Sequence, residues 1–267
     1  MSPPGDRSYD EIPDFGLLYD SVPAYDARRD VAFYVEEATR AGGPVLELGC
    51  GTGRVLLPVA RAGGEVVGLD GSERMLERCR ERLAREDDAV RRRVTLVHGD
   101  ARSFDLGTTF ALVTAPFRIV QHLTTIDDQL RCLESVARHL ALGGLLAFDV
   151  FNPNFASMTS DRSAEAEETP EQALPDGRRM RRAVRVPRVR WTEQVSEVEL
   201  IYYVAPAAGA PSARFVQAFD MRWYVPAELT HLLARAGFRV RDLYGDFDRS
   251  PLRDGSPEIV VRAERVA

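Results

Sequence analysis

The sequence predicts a doubly wound α/β fold. Its sheet has seven strands, mostly parallel and closed by an antiparallel C-terminal hairpin, and a small antiparallel sheet is inserted after the fifth strand. Three observations predict it. From residue 31 short apolar runs alternate with amphipathic helical segments, as in a parallel sheet covered by helices. A glycine-rich turn, LELGCGTGR at 46–54, separates the first strand from the helix that follows. Beyond residue 180 the apolar pattern changes to period two, as in antiparallel strands.

The elements follow in order. VAFYVEEATRAGG reads as a helix ended by glycine, PVLELG as a buried strand, and RVLLPVARAGG as a helix stopped at Gly63 and Gly64, with Pro58 early in it. EVVGLD is the second strand. SERMLERCRERLARE is a helix with Met75, Leu76, Cys79 and Leu83 on one face. VTLVHGD and FALVTAPF are strands three and four, TIDDQLRCLESVARHLALGG a long helix, and LLAFDVFNP strand five. Residues 156–177, polar and acidic with two prolines, read as an exposed loop. Residues 181–206 and 213–225 read as three or four antiparallel strands. PAELTHLLARAG is a helix with proline at its start and glycine past its end. FRVRDLYGDF and PEIVVRAER close the chain as a hairpin. The expected organisation is an N-terminal cap segment (1–30), a core (31–154 with 223–267), and an inserted antiparallel lid (155–222). The lid leaves the core at the carboxyl end of a strand, where open α/β sheets bind ligands.

Composition excludes several chemistries. The chain has 267 residues and 45% hydrophobic content, enough for a large core, and a net charge of −6 without a long basic run. That argues against nucleic acid as an obligatory partner. No apolar run approaches a membrane span, and the opening MSPPGDRSYDEIPD is unlike a signal peptide. Three scattered cysteines predict a reduced, cytoplasmic protein. All 35 basic residues are arginine. Without lysine there is no Walker phosphate loop, no protein-kinase strand lysine and no Schiff base with pyridoxal phosphate. The four histidines form no zinc motif, so no metal is expected.

The glycine turn then asks for a ligand without phosphate at this end. Its spacing is G-x-G-x-G, and Glu47 sits two residues before Gly49. A desolvated carboxylate beside a pyrophosphate is repelled, whereas a cationic group is attracted. Glycines lacking Cβ let a ligand lie on the main chain. Asp70, ending strand two seventeen residues beyond Gly53, stands where a ribose diol is gripped. Asp100, after strand three, stands near an adenine edge. Each acid alone is explained by helix capping or turn chemistry; three at successive strand ends after a glycine turn are far more specific.

With these residues the chain resembles the class I S-adenosylmethionine-dependent methyltransferases, whose first motif is E-x-G-x-G-x-G on a Rossmann-like sheet. It is similar in particular to small bacterial members, the sugar N,N-dimethyltransferases and glycine N-methyltransferases. The likeness runs from Tyr19 to the C-terminus and is weakest over 156–190. The resemblance implies S-adenosylmethionine as cofactor, with S-adenosylhomocysteine as product. It implies cofactor contacts from Glu47, Gly49, Cys50, Gly51, Gly53, Asp70, Gly71, Met75, Asp100, Ala101 and Ala115, with Tyr19 and Tyr25 closing over the cofactor. The partner is a small-molecule methyl acceptor, at N or O; the oligomeric state stays open, a homodimer included.

Methyl transfer requires alignment and exclusion of water, and a base only when the nucleophile arrives protonated. The segment APFRIVQHL, after strand four, should border the methyl group. It lacks the leading Asp or Asn of [DNS]-P-P-[YF], which disfavours adenine-N6 or glutamine methylation. His122 is the candidate base, because imidazole titrates near neutral pH; the competing reading is a backbone hydrogen bond. Arg118 is read as binding a substrate anion or pairing with a structural acid. His139 and His231 are expected to be structural. Two alternatives remain: a non-methylating enzyme on the same cofactor, and a regulatory protein that binds it without turnover. A nicotinamide dehydrogenase is opposed by Glu47 and the glycine spacing.

Overall fold

A computed structural model of the chain describes residues 8–206 and 212–266. Residues 1–7 of the expected cap segment, 207–211 and Ala267 lie outside them. The chain divides into two compact units, one made of residues up to 28 with 154–222 and the other, the core, of residues 29–153 with 223–267. Helices α1 (Ser8–Glu11), α2 (Phe15–Asp20) and α3 (Pro23–Asp26) open the first unit, and α4 (Asp30–Ala41) opens the core. The core continues with β1 (Val45–Leu48), α5 (Leu56–Arg61), β2 (Val66–Asp70), α6 (Glu73–Leu83), α7 (Asp88–Arg91), β3 (Val94–His98) and β4 (Phe110–Ala115). A 3₁₀ turn (Ile119–His122), α8 (Ile126–His139) and β5 (Leu140–Phe151) follow. The excursion comprises α9 (Phe155–Met158), β6 (Ala166–Ala173), β7 (Arg179–Arg190), β8 (Val195–Ala205) and β9 (Ala213–Arg222). Helix α10 (Pro226–Arg235), β10 (Phe238–Tyr244) and β11 (Glu258–Arg265) complete the core.

The core sheet runs β10-β11-β5-β4-β1-β2-β3, parallel except for β11, which lies antiparallel to both β5 and β10. Strand order therefore reverses between β1 and β4, the point where open α/β sheets leave a crevice at their carboxyl ends. All four residues of β1 are buried, as expected of a central parallel strand. The helices begin and stop for local reasons. Ser72 caps α6 by accepting from the Met75 amide at 3.3 Å, Thr125 caps α8 by accepting from Asp128, and α4 ends at Gly42.

Helix α4 buries Asp30, Phe33, Tyr34, Glu37 and Ala38, one stripe at helical spacing. Two of those five are acids and one is a phenol, so the stripe must be answered by polar partners as well as apolar ones. Glu37 receives three guanidinium groups, from Arg40 (3.0 Å), Arg249 (2.7 Å) and Arg262 (2.9 Å), which tie α4 to the C-terminal hairpin.

Two expectations need correction. The strand after α8 begins at Leu140, so the ALGG stretch belongs to β5 and not to the helix. Pairing with β4 passes from Phe110↔Leu140 to Leu112↔Leu145, and the surplus residues fit through an irregularity with Gly143 at φ +78°. The acidic stretch 156–177 is not simply a loop, because it contains α9 and the edge strand β6. Thr169 is buried, and the pairing with β7 shifts register on both sides of Thr169, next to Pro170. An edge strand tolerates a proline and charged side chains that a central strand would not. The inserted sheet thus has four strands in the order β6-β7-β8-β9.

The described N-terminal helices pack in one unit with that sheet. Phe15 meets Tyr202 edge-on at 5.7 Å, Arg178 pairs with Asp14, and Gln172 donates to the Ser21 carbonyl. Arg182 is almost wholly buried; it forms a fork with Glu168 (2.7 and 2.8 Å) and donates to the Tyr25 hydroxyl at 2.5 Å.

Candidate active site

The site is assembled at the carboxyl ends of β1, β2, β3 and β4. After β1 the chain reverses through three glycines in the left-handed region, Gly49 (φ +64°), Gly51 (+54°) and Gly53 (+83°). Their missing Cβ atoms serve different neighbours. A Cβ at Gly53 would meet Cys79 Sγ at 2.7 Å, so the missing side chain of this glycine makes room for α6. At Gly49 the space is taken by Ile119, whose Cδ1 would lie 2.2 Å from a Cβ. Gly51 faces open space as far as Met75 Cε, 3.5 Å away. Of the three, Gly51 is the one where a Cβ would crowd nothing, and the Met75 side chain is its nearest neighbour.

Cys50 turns its side chain away, behind the turn: a Cβ on Gly68 of β2 would meet Cys50 Sγ at 2.8 Å, and burial pushes the thiol well above its usual range. The amides of Gly49 and Cys50 both donate to the Leu69 carbonyl, which fixes the turn against β2. Asp70 closes the same corner. Its Oδ2 accepts from the Gly51 amide at 2.7 Å and its Oδ1 from the Ser72 amide at 2.8 Å.

One strand over, the Gly99 amide bonds the Asp70 carbonyl, bringing Asp100 and Ala101 to the neighbouring corner. Asp100 is held by the Arg102 side chain, at 2.6 Å to Nη2 and 2.9 Å to Nε, and that pairing keeps its carboxyl below the usual range. Gly71 is exposed at the end of β2, with its carbonyl bonded to His98 Nε2 at 3.0 Å. Ala115 is buried at the end of β4.

The turn after β4 carries backbone strain. Phe117 (φ +58°) and Arg118 (φ +67°) are consecutive non-glycine residues in the left-handed region, which costs about 1–2 kcal/mol each. Surrounding groups hold it there. Buried Asp149 accepts from the Phe117 amide at 2.8 Å and from the Tyr34 hydroxyl at 2.6 Å. The Arg54 guanidinium lies over the Phe117 ring, 5.0 Å from its centroid. Arg118 donates to Glu258 at 2.9 Å and lies over Phe151, so of its two expected roles the pairing with a structural acid is the one observed. His122 ends the 3₁₀ turn, half-buried. His139 is structural: its Nδ1 bonds the Ser135 carbonyl, and its Nε2 accepts from the Leu106 amide.

Glu47 differs from the other buried acids. Asp30 is forked to Arg54 (2.6 and 2.8 Å), Glu37 has three arginines, Asp128 has Arg131, Asp149 has Tyr34, and Glu258 has Arg118. Glu47 is 2% exposed, its Oε2 has no hydrogen-bond partner, and no cation among the described residues lies within ion-pair distance. Burial pushes its carboxyl up to about 8, with nearby Arg54 drawing it partly back. An unanswered carboxylate behind a turn of bare main chain suits the ammonium end of an amino-acid-like ligand, and the residues present therefore fit the cofactor that the sequence implied.

The sequence did not single out Asp30, Tyr34, Arg54, Asp149 or Glu258. Some signals were there: Asp149 is an acid inside the apolar run LLAFDVF, and Asp30 and Tyr34 stand four apart on one helix. Tyr19 and Tyr25 belong to the other unit, where their rings pack 4.7 Å apart. No group of metal-binding side chains occurs among the described residues.

Residues 45–144, which carry the glycine turn and the strands that flank it, match the family model described as "Methyltransferase domain", and the fold is the Rossmann-like one seen in solved methyltransferases. The chain is 35% identical over 120 residues to dTDP-3-amino-3,4,6-trideoxy-alpha-D-glucopyranose N,N-dimethyltransferase of Streptomyces venezuelae, covering 45% of this chain and 47% of that protein. It thus spans about half the length of this curated relative. Among solved structures, the CcbJ methyltransferase from Streptomyces caelestis superposes with a TM-score of 0.74 at 27% identity, covering 94% of this chain and 95% of that one. The glycopeptide N-methyltransferase MtfA complexed with S-adenosyl-L-methionine aligns at 29% identity and a TM-score of 0.57, over 89% of this chain and 95% of that one.

Proposed function

We propose that the protein moves a methyl group from S-adenosylmethionine to a small-molecule acceptor, and that the acceptor atom is an amine nitrogen. The observation that carries the first part is the buried, unpartnered Oε2 of Glu47 beside the turn at Gly51. The nitrogen rests on similarity to proteins named as N-methyltransferases. When bound, the cofactor supplies a methyl already activated by positive sulfur, which leaves the protein to align partners and exclude water.

In this reading Glu47 receives the cofactor's ammonium, Gly49 and Gly51 its main-chain contacts, and Asp70 the ribose hydroxyls. Met75 packs beside the adenine. Because Asp100 is committed to Arg102, the adenine edge is read by its main chain together with Ala101. Ala115 and the strained Phe117–Arg118 turn border the reacting methyl, and His122 takes the proton from an acceptor amine that arrives protonated. The inserted β6–β9 sheet serves acceptor recognition. The support for that is the point of departure of the excursion, immediately after β5.

Calorimetric titration with S-adenosylmethionine, S-adenosylhomocysteine and NAD tests the reading: the first two should bind and NAD should not. NAD binding alone would overturn it. His122→Ala should abolish turnover on amino-sugar acceptors while leaving cofactor affinity unchanged; unchanged turnover removes His122 as the base. Cofactor binding without methyl transfer to any amine or alcohol would favour a regulatory protein.

A further inference from the structure

Among the described residues every buried acid of the core except Glu47 is partnered by a guanidinium or a hydroxyl, and the arginine that acts on Glu47 is already engaged. Arg54 is 12% exposed, and both of its terminal nitrogens are forked onto Asp30, which is completely buried at the start of α4. Arg54 draws the Glu47 carboxyl partly back down, and Asp30, forked onto that guanidinium, opposes it with its own negative charge. Among the described residues the other groups acting on Glu47 supply no cation. Asp70, at the end of β2, adds negative charge, as does Asp30 itself. Cys50 and Cys79, from the turn and α6, are thiols that burial holds neutral. The Leu56 amide gives Glu47 one hydrogen bond, and Ile119, from the turn after β4, is apolar.

We propose that Asp30, acting through Arg54, is a positioning residue that keeps Glu47 protonated in the ligand-free protein, so that uptake of the cofactor's ammonium end expels one proton to solvent. The inference rests on the cofactor reading above and adds a coupling to it. The ammonium replaces the carboxyl proton as the positive partner, and Glu47 Oε is the atom that loses it. Cofactor exchange is thereby proton-linked, with affinity rising about tenfold per pH unit on the acid side of neutrality. Above pH 8 the gain stops, because the free ligand's own amine begins to lose its proton.

The experiment is isothermal titration of S-adenosylmethionine into the full chain at pH 6.5, in two buffers of different ionisation enthalpy, which counts protons directly. The wild type should release about 0.9 proton per molecule bound. Glu47→Gln should release none. Asp30→Asn returns Arg54's charge to Glu47, ionises it, and should cut the release to about a third or less. Arg54→Gln removes the cation and should keep the release near one, with its decline moved to higher pH. A wild-type release below about 0.2 overturns the proposal, and so does a full release in Glu47→Gln. If Asp30→Asn folds and releases as much as the wild type, or if the two Arg54 and Asp30 variants behave alike, Asp30 has no such role. Absence of any binding heat in the wild type would instead refute the cofactor assignment itself.

Discussion

Tyr34 and Asp149, 115 residues apart, share a 2.6 Å hydrogen bond between two fully buried side chains, and the same Asp149 oxygen accepts the Phe117 amide. One carboxylate thus joins α4 to the strained turn after β4. Helix α4 reaches that turn a second time, through Asp30, Arg54 and the Phe117 ring. The turn's unfavourable dihedrals persist because two side chains one turn apart at the start of α4 brace it. Tyr34→Phe keeps the ring and removes the donor, and should lower unfolding free energy by about 1–3 kcal/mol. Urea denaturation measures this, and a change within about 0.5 kcal/mol would show that the bond is not a strut.

Glu47→Gln should stabilise the ligand-free protein at alkaline pH while impairing cofactor binding. The folded-state carboxyl titrates at about 8, above its ordinary 4.5. A raised carboxyl contributes its full stability below the ordinary value and loses it as pH climbs through 8. Wild-type stability should therefore fall between about pH 5 and 9 by up to a few kcal/mol, from this group alone. The variant should be flatter over that window in chemical denaturation at pH 5.5 and 8.5. Parallel curves would mean that Glu47 is ionised in the free protein.

The glycines separate packing from binding. Gly53→Ala places a methyl 2.7 Å from Cys79 Sγ and 3.1 Å from Leu57 Cγ in a left-handed residue, and should destabilise by about 2 kcal/mol or more. Gly51→Ala meets nothing closer than Met75 Cε, so only the backbone strain of about 1 kcal/mol applies. Thermal melts should rank them in that order. Calorimetry should show cofactor affinity lost in Gly51→Ala although the fold survives.

Arg118 and Glu258 should couple in a double-mutant cycle by about 1–3 kcal/mol of stability, because Glu258 is 5% exposed and Arg118 is its partner at 2.9 Å. An arginine serving mainly to bind a substrate anion would show little coupling in the absence of substrate. It would instead raise the acceptor KM when removed, with stability unchanged.

Much of this molecule was legible in one dimension. Alternating apolar and helical periods placed seven core strands, because burial on both faces of a parallel sheet leaves a local record. The turn at 46–54 announced a ligand without phosphate through its glycine spacing and one acid, and Asp70 stands at the end of β2 where the apolar run put it. The period-two signal also exposed the inserted sheet, although Thr169 and its edge strand hid in an acidic stretch whose pairing is set by β7.

Other properties had no local signature. Whether Arg118 faces a substrate or a structural acid depends on a residue 140 positions away, and whether Gly53 has room for a side chain depends on Cys79. The Glu47 carboxyl is pushed up by burial and acted on by Arg54 and Asp30, which converge on it from separate elements, and the letters G-T-G-R do not reveal that. Patterns of burial are written along the backbone, residue by residue. The energy of an ion in a dry interior is set by whichever side chains converge on it from separate elements, and only the packed chain decides that.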